Sequence, residues 1–171
     1  MIVGEKVTLR ALNQKDFEQI LEWVNNPKLK YLTGTLYPVS EIEHETWFKN
    51  KILDNKGKIF GIQDKPNSQL IGIIGLKNMD FINRNTELYI YIGDENYWGK
   101  GLGTEATSLI AKFVFNELNF HRIYLSVFSY NERAISSYEK AGFKKEGVMK
   151  ESLFKSGTYH DIVLMALINK G

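Results

Sequence analysis

The run Gly93-Asp94-Glu95-Asn96-Tyr97-Trp98-Gly99-Lys100-Gly101-Leu102-Gly103-Thr104 holds the residues best arranged for chemistry. A strand-like stretch enters it, glycines at alternate positions bend it, and a helical pattern leaves it. That arrangement aims several N–H groups and a helix N-terminus at one spot, which suits a phosphate. The loop is not a Walker A motif, because Gly93 and Gly99 enclose five residues and Lys100 is followed by Gly101. It is not the dinucleotide fingerprint either, because Thr104 stands where a third glycine belongs. A ligand-free glycine turn that merely starts a helix is the competing reading of the loop by itself.

Other reactive groups are scarce. The chain has no cysteine, which removes disulfides, thiolate metal sites and an acyl-cysteine intermediate together. His44, His121 and His160 show neither metal spacing nor a catalytic partner, so no metal is expected. A net charge of +2 lacks the basic excess of a charge-driven nucleic-acid binder, so no nucleic-acid partner is expected. No apolar run approaches the ~20 residues of a membrane span, and the first residues do not form a signal peptide. A cytoplasmic protein without a membrane partner follows as the expectation.

The elements that must position the loop are legible from their patterning. Across 171 residues there is no repeat and no linker, so residues 1–171 read as one domain. Val7 to Arg10 alternates as a strand. Asn13 caps a helix with Phe17, Ile20, Leu21 and Val24 on one face, and Asn25-Asn26-Pro27 stops it. Ser40-Glu41-Ile42-Glu43 forms a capping box for a second helix through Trp47, Phe48 and Ile52. Strands Lys58–Gln63, Leu70–Asn78 and Glu87–Gly93, separated by turn-rich segments, predict an antiparallel meander. A helix from about Thr104 to Leu118, a strand from Ile123 to Val127, a short helix opened by Asn131 and closed at Gly142, and a strand from Ile162 to Leu167 complete the chain. The order β-α-α-β-β-β-α-β-α-β predicts an α+β fold.

Two segments together carry a resemblance. Gly99-Lys100-Gly101-Leu102-Gly103-Thr104 resembles the acyl-CoA pyrophosphate loop of the GNAT superfamily of N-acetyltransferases, Gln/Arg-x-x-Gly-x-Gly/Ala. Some 30 residues on, Asn131 to Phe143 is similar to that superfamily's Asn-x-x-Ala-x-x-x-Tyr-x-x-x-Gly-Phe run. The stretch Phe154 to Asp161 looks most like the RimJ/RimL-like branch and its polyamine-acetylating relatives. One departure is visible, since Trp98 stands where the pattern has Gln or Arg. The resemblance implies a mixed, mostly antiparallel central sheet flanked by helices and splayed at the acyl-CoA site.

It also implies roles. Acetyl-CoA would be the donor, held by Ile90, Tyr91, Ile92, Gly93, Trp98, Gly99, Lys100, Gly101, Leu102, Gly103, Thr104, Asn131, Ala134, Tyr138 and Lys140. Tyr138 would protonate the departing thiolate and Glu87 would act as base, directly or through water. A bulge in the strand after Glu87 would open the sheet and aim an N–H at the thioester oxygen. Without a cysteine, direct attack of the amine in a ternary complex is the favoured route. The acceptor is a small amine or a peptide N-terminus, set by the segment Asn25 to Trp47 and the hairpin near Phe154 to Asp161. Tyr31, Tyr37 and Glu41 are its candidate contacts, although glutamates in a first helical turn have a capping explanation of their own. An acyl-CoA sensor without turnover and an amino-sugar or aminoglycoside acetyltransferase are the alternatives, and a homo-oligomer stays open.

Overall fold

The computed structural model describes residues 1–171. Its scaffold is an eight-stranded sheet in the order β1-β2-β3-β4-β5-β6-β8-β7. The strands are β1 (Ile2–Val3), β2 (Val7–Ala11), β3 (Lys58–Asp64), β4 (Leu70–Asp80), β5 (Asn85–Ile92), β6 (Arg122–Phe128), β7 (Lys144–Lys155) and β8 (Thr158–Ile168). The helices are α1 (Phe17–Asn25), α2 (Pro27–Leu32), α3 (Glu41–Leu53), α4 (Leu102–Asn116) and α5 (Glu132–Lys140). Every neighbouring pair is antiparallel except β5 and β6. The α+β sheet and the meander β3-β4-β5 are therefore as the sequence predicts.

β4 explains why the middle of the sheet reads as a nearly continuous apolar run. Helices cover both faces, so Ile71, Ile73, Ile74 and Leu76 are all buried. Ile74 and Leu76 join the large cluster with Ala106, Ile110 and Val114 of α4, while Ile73 joins Ile20, Trp23 and Phe48 of α1 and α3. Gly75 interrupts the run because the Tyr89 ring of β5 lies over it, and a Cβ there would sit 2.2 Å from that ring.

Three local outcomes depart from expectation. Asn25-Asn26-Pro27 ends α1 but also starts α2: the Asn26 side chain accepts from Lys28 N–H and Leu29 N–H, and Pro27 takes the first helical position. The 12-residue strand β7 forms the edge of the sheet against β8. β5 carries no bulge over its cleft-side half, because its ladder with β4 runs unbroken from Gly72–Ile92 to Lys77–Glu87. The irregularity sits in the partner strand, between Lys77 and Asp80, where Asn78 has a positive φ.

Candidate active site

The parallel pair β5 and β6 is joined over only three positions, Asn85–Arg122, Thr86–Ile123 and Glu87–Tyr124. Beyond Glu87 the strands part, since β6 stays paired with β8 along its whole length while β5 stays with β4. The side of β5 that faces β6 is thus left without a strand partner from Leu88 to Ile92, ready to bond an extended ligand through its backbone. The opening forms a cleft of about 240 Å³ between β5, the glycine loop, the start of α4 and one face of α5.

The loop's geometry follows from its glycines. Gly99 and Gly101 have φ of +72° and +76°, values that side-chain-bearing residues rarely adopt. The turn delivers the chain into α4 with Gly101 as N-cap and no side chain bonding the first N–H groups. Those donors, with the positive end of the helix, face the cleft where Gly103 and Thr104 line it. Thr104 Oγ1 and Ser137 Oγ lie 2.8 Å apart and tie α4 to α5 beside the opening. Asn131 caps α5 by accepting from Ala134 N–H and also lines the cleft.

Tyr138 also lines the cleft. Its ring is buried near Phe143, with centroids 5.9 Å apart, and no group of the protein hydrogen-bonds its hydroxyl. Burial raises its pKa well above the ordinary phenol value, so the hydroxyl keeps its proton at neutral pH and is a donor. Tyr91 also lines the cleft, and its sealed hydroxyl has no hydrogen-bond partner. Leu29 and Leu32 of α2, with Thr33 just after it, complete the lining. The helix is fastened there by stacking of Tyr31 on Tyr130 (4.4 Å) and by the Tyr130 hydroxyl, which donates to the Tyr31 carbonyl. Burial pushes the Tyr130 pKa up to about 12, which keeps that donor protonated. Lys155 Nζ donates to the Lys30 carbonyl at 2.7 Å.

Thirteen of the fifteen residues expected around the donor line this one cleft, Gly93 and Lys100 being set apart. Gly93 seats the Trp23 indole, whose ring would lie 2.0 Å from a Cβ, so its glycine serves packing. Lys100 turns its ammonium over the Tyr97 ring, 5.4 Å from the centroid. Glu87 does not line the cleft either: Lys77 Nζ (3.1 Å) and Asn78 Nδ2 (2.9 Å) occupy its two carboxylate oxygens. Tyr31, Tyr37 and Glu41 also lie outside the lining, Tyr37 as a 75% exposed side chain. The sequence reading missed the α2 residues and Tyr97, Arg133, Ser136 and Ser137. Arg133, Ser136 and Ser137 lie inside the Asn131 to Phe143 motif, at its unspecified positions, and Asn26-Pro27 is the signal for α2.

The model of the acetyltransferase (GNAT) domain matches residues 6–144. The chain belongs to the GNAT acetyltransferase family. Spermidine N(1)-acetyltransferase of Vibrio cholerae is 32% identical over 167 residues, covering 97% of this chain and 95% of the relative. Putative ribosomal N-acetyltransferase YdaF of Bacillus subtilis is 31% identical over 176 residues, covering 98% and 94%. A crystal structure of spermidine N-acetyltransferase from Vibrio cholerae in complex with CoA and spermine superposes with a TM-score of 0.87 at 31% identity over 96% of both chains. As a GNAT enzyme, this chain is an acetyl-CoA-dependent N-acetyltransferase.

Proposed function

We propose that the chain transfers the acetyl group of acetyl-CoA to a primary amine of a polyamine by direct attack, with Tyr138 as the general acid. Full-length similarity to spermidine acetyltransferases supports the acceptor class. The observation that carries the mechanism is the buried, unpartnered and protonated Tyr138 hydroxyl in the lining of the cleft. Amine nitrogen attacks the thioester carbon, the C–N bond forms, the C–S bond breaks, and the departing sulfur takes the Tyr138 proton. Backbone N–H groups on the unpaired edge of β5 stabilise the carbonyl oxygen as it becomes negative. The amine's proton leaves to water. Support for water over Glu87 comes from the lining, which holds no carboxylate, and from the Lys77 and Asn78 contacts that occupy Glu87.

A panel of spermidine, an aminoglycoside and short peptides with free N-termini, followed by release of free thiol from acetyl-CoA, tests this reading. Spermidine should turn over fastest. Preference for the peptides would replace the polyamine with a protein N-terminus, and CoA binding without thiol release from any amine would mean a sensor. Tyr138→Phe should lower kcat about 10²-fold while changing acetyl-CoA affinity far less. Unchanged kcat removes Tyr138 from the chemistry.

A further inference from the structure

The chain has four arginines. Arg10 is bonded to Asp16 through both guanidinium arms, Arg122 to Glu146 in the same way, and Arg84 to the Asn119 side chain. Arg133, an exposed side chain, alone has no hydrogen-bonded partner and no ion pair. It lies instead over the Trp98 ring, 3.8 Å from the centroid. Both side chains line the cleft beside Gly99, Gly101 and the uncapped start of α4. Trp98 is itself fixed, because its Nε1–H donates to the Ile92 carbonyl at 2.8 Å. Glu95, the acid whose charge acts on the guanidinium, is itself held by Lys28 Nζ at 2.7 Å. A guanidinium laid flat on an aromatic ring keeps its edge donors free, and that fork matches two oxygens of a phosphate.

We propose that Arg133, held flat by Trp98, binds the diphosphate of the donor from α5, supplying the side-chain contact that the Gln or Arg of the family pattern would supply from position 98. The loop and α4 contribute backbone N–H groups from one side, and Arg133 contributes the charge from the other. Trp98 thereby becomes a positioning residue rather than a lost contact.

The inference rests on acetyl-CoA being the donor, and calorimetric binding keeps the two separable. CoA, 3′-dephospho-CoA and pantetheine are titrated into wild type, Arg133→Gln, Trp98→Leu and the double variant. Arg133→Gln should weaken CoA and 3′-dephospho-CoA alike by about 10- to 100-fold, the range for a hydrogen bond to a charged group. Pantetheine, which lacks the diphosphate, should bind wild type and variant equally. Trp98→Leu should weaken CoA, and the double variant should bind it no worse than Arg133→Gln within about twofold, because the ring acts through the guanidinium. Arg133→Lys keeps the charge but loses the planar fork, and should recover only part of the affinity. Thermal melts of each variant check that the fold persists. Equal loss for pantetheine, a loss confined to CoA and absent with 3′-dephospho-CoA, or additive single effects each overturn the proposal. Wild type that binds neither nucleotide overturns the donor assignment and the proposal with it.

Discussion

His44 is 1% exposed, enclosed by the rings of Phe17, Trp47 and Phe48. Its Nε2 lies 3.0 Å from the Phe17 carbonyl, so the neutral ring donates there. Burial lowers its pKa below the ordinary 6.5, outweighing the opposite pull of that carbonyl. Folded protein therefore keeps His44 neutral where the unfolded chain would take a proton. The resulting stability is complete above about pH 6.5 and is lost as pH falls through 6.5 towards the depressed folded value, by at most ~1.4 kcal/mol per unit. Urea unfolding at pH 7.5 and pH 5.5 should show the loss, and His44→Leu should flatten it. An unchanged slope in that variant would assign the acid sensitivity to other groups. The same residue illustrates a limit of sequence reading: His44 shows no catalytic spacing, and only packing reveals that it is a core residue of the α1–α3 layer.

At the scale of elements, the start of α4 can be divided glycine by glycine. A Cβ on Gly101 would meet nothing within 4 Å, so substitution there is penalised by the φ of +76° alone. Gly103 is helical, and a Cβ would make ordinary contacts with Ile92 (3.7 Å) and Ser137 (3.9 Å). Gly101→Ala should thus destabilise the ligand-free protein by about 1 kcal/mol, while Gly103→Ala should stabilise it by up to about 1 kcal/mol. Urea midpoints carry opposite signs if this division is right, and equal losses refute it. These glycines were legible because a strand, a turn and a helix leave distinct patterns around them. β7 was not legible. Its sequence KKEGVMKESLFK is exposed at most positions, and its register shifts twice, between Lys145 and Gly147 and between Met149 and Leu153. An edge strand that is bulged and solvated has no period of two to read. α2 was hidden for another reason: at six residues it is too short for a helical period, and its proline reads equally as a stop or a start.

Taken whole, the molecule is a sheet in two parts, with β1 to β5 on one side of the cleft and β6, β8 and β7 on the other. Three ladder positions join them directly. On one face the large cluster under α4 spans the division, from Ile74 and Leu88 to Ile123, Val163 and Met165. On the other, the α2 fastening through Tyr31–Tyr130 and Lys30–Lys155 spans it again. Between the two bridges the edges of β5 and β6 stay apart beyond Glu87, and the proposed donor would lie in that gap. Binding at a concentration 100-fold above Kd should add about 2.7 kcal/mol to stability, a rise in Tm of about 5–10 °C for a chain of this size. Mass action alone produces that shift wherever acetyl-CoA binds, so its location is the informative part. Hydrogen exchange should slow in the outer half of β5, from Leu88 to Ile92, and in α5, as well as in Gly99 to Thr104. Protection restricted to the glycine loop would mean that the donor docks at its phosphates without bridging the two parts. In that case the splay between β5 and β6 would be a by-product of strand pairing and not the seat of the thioester.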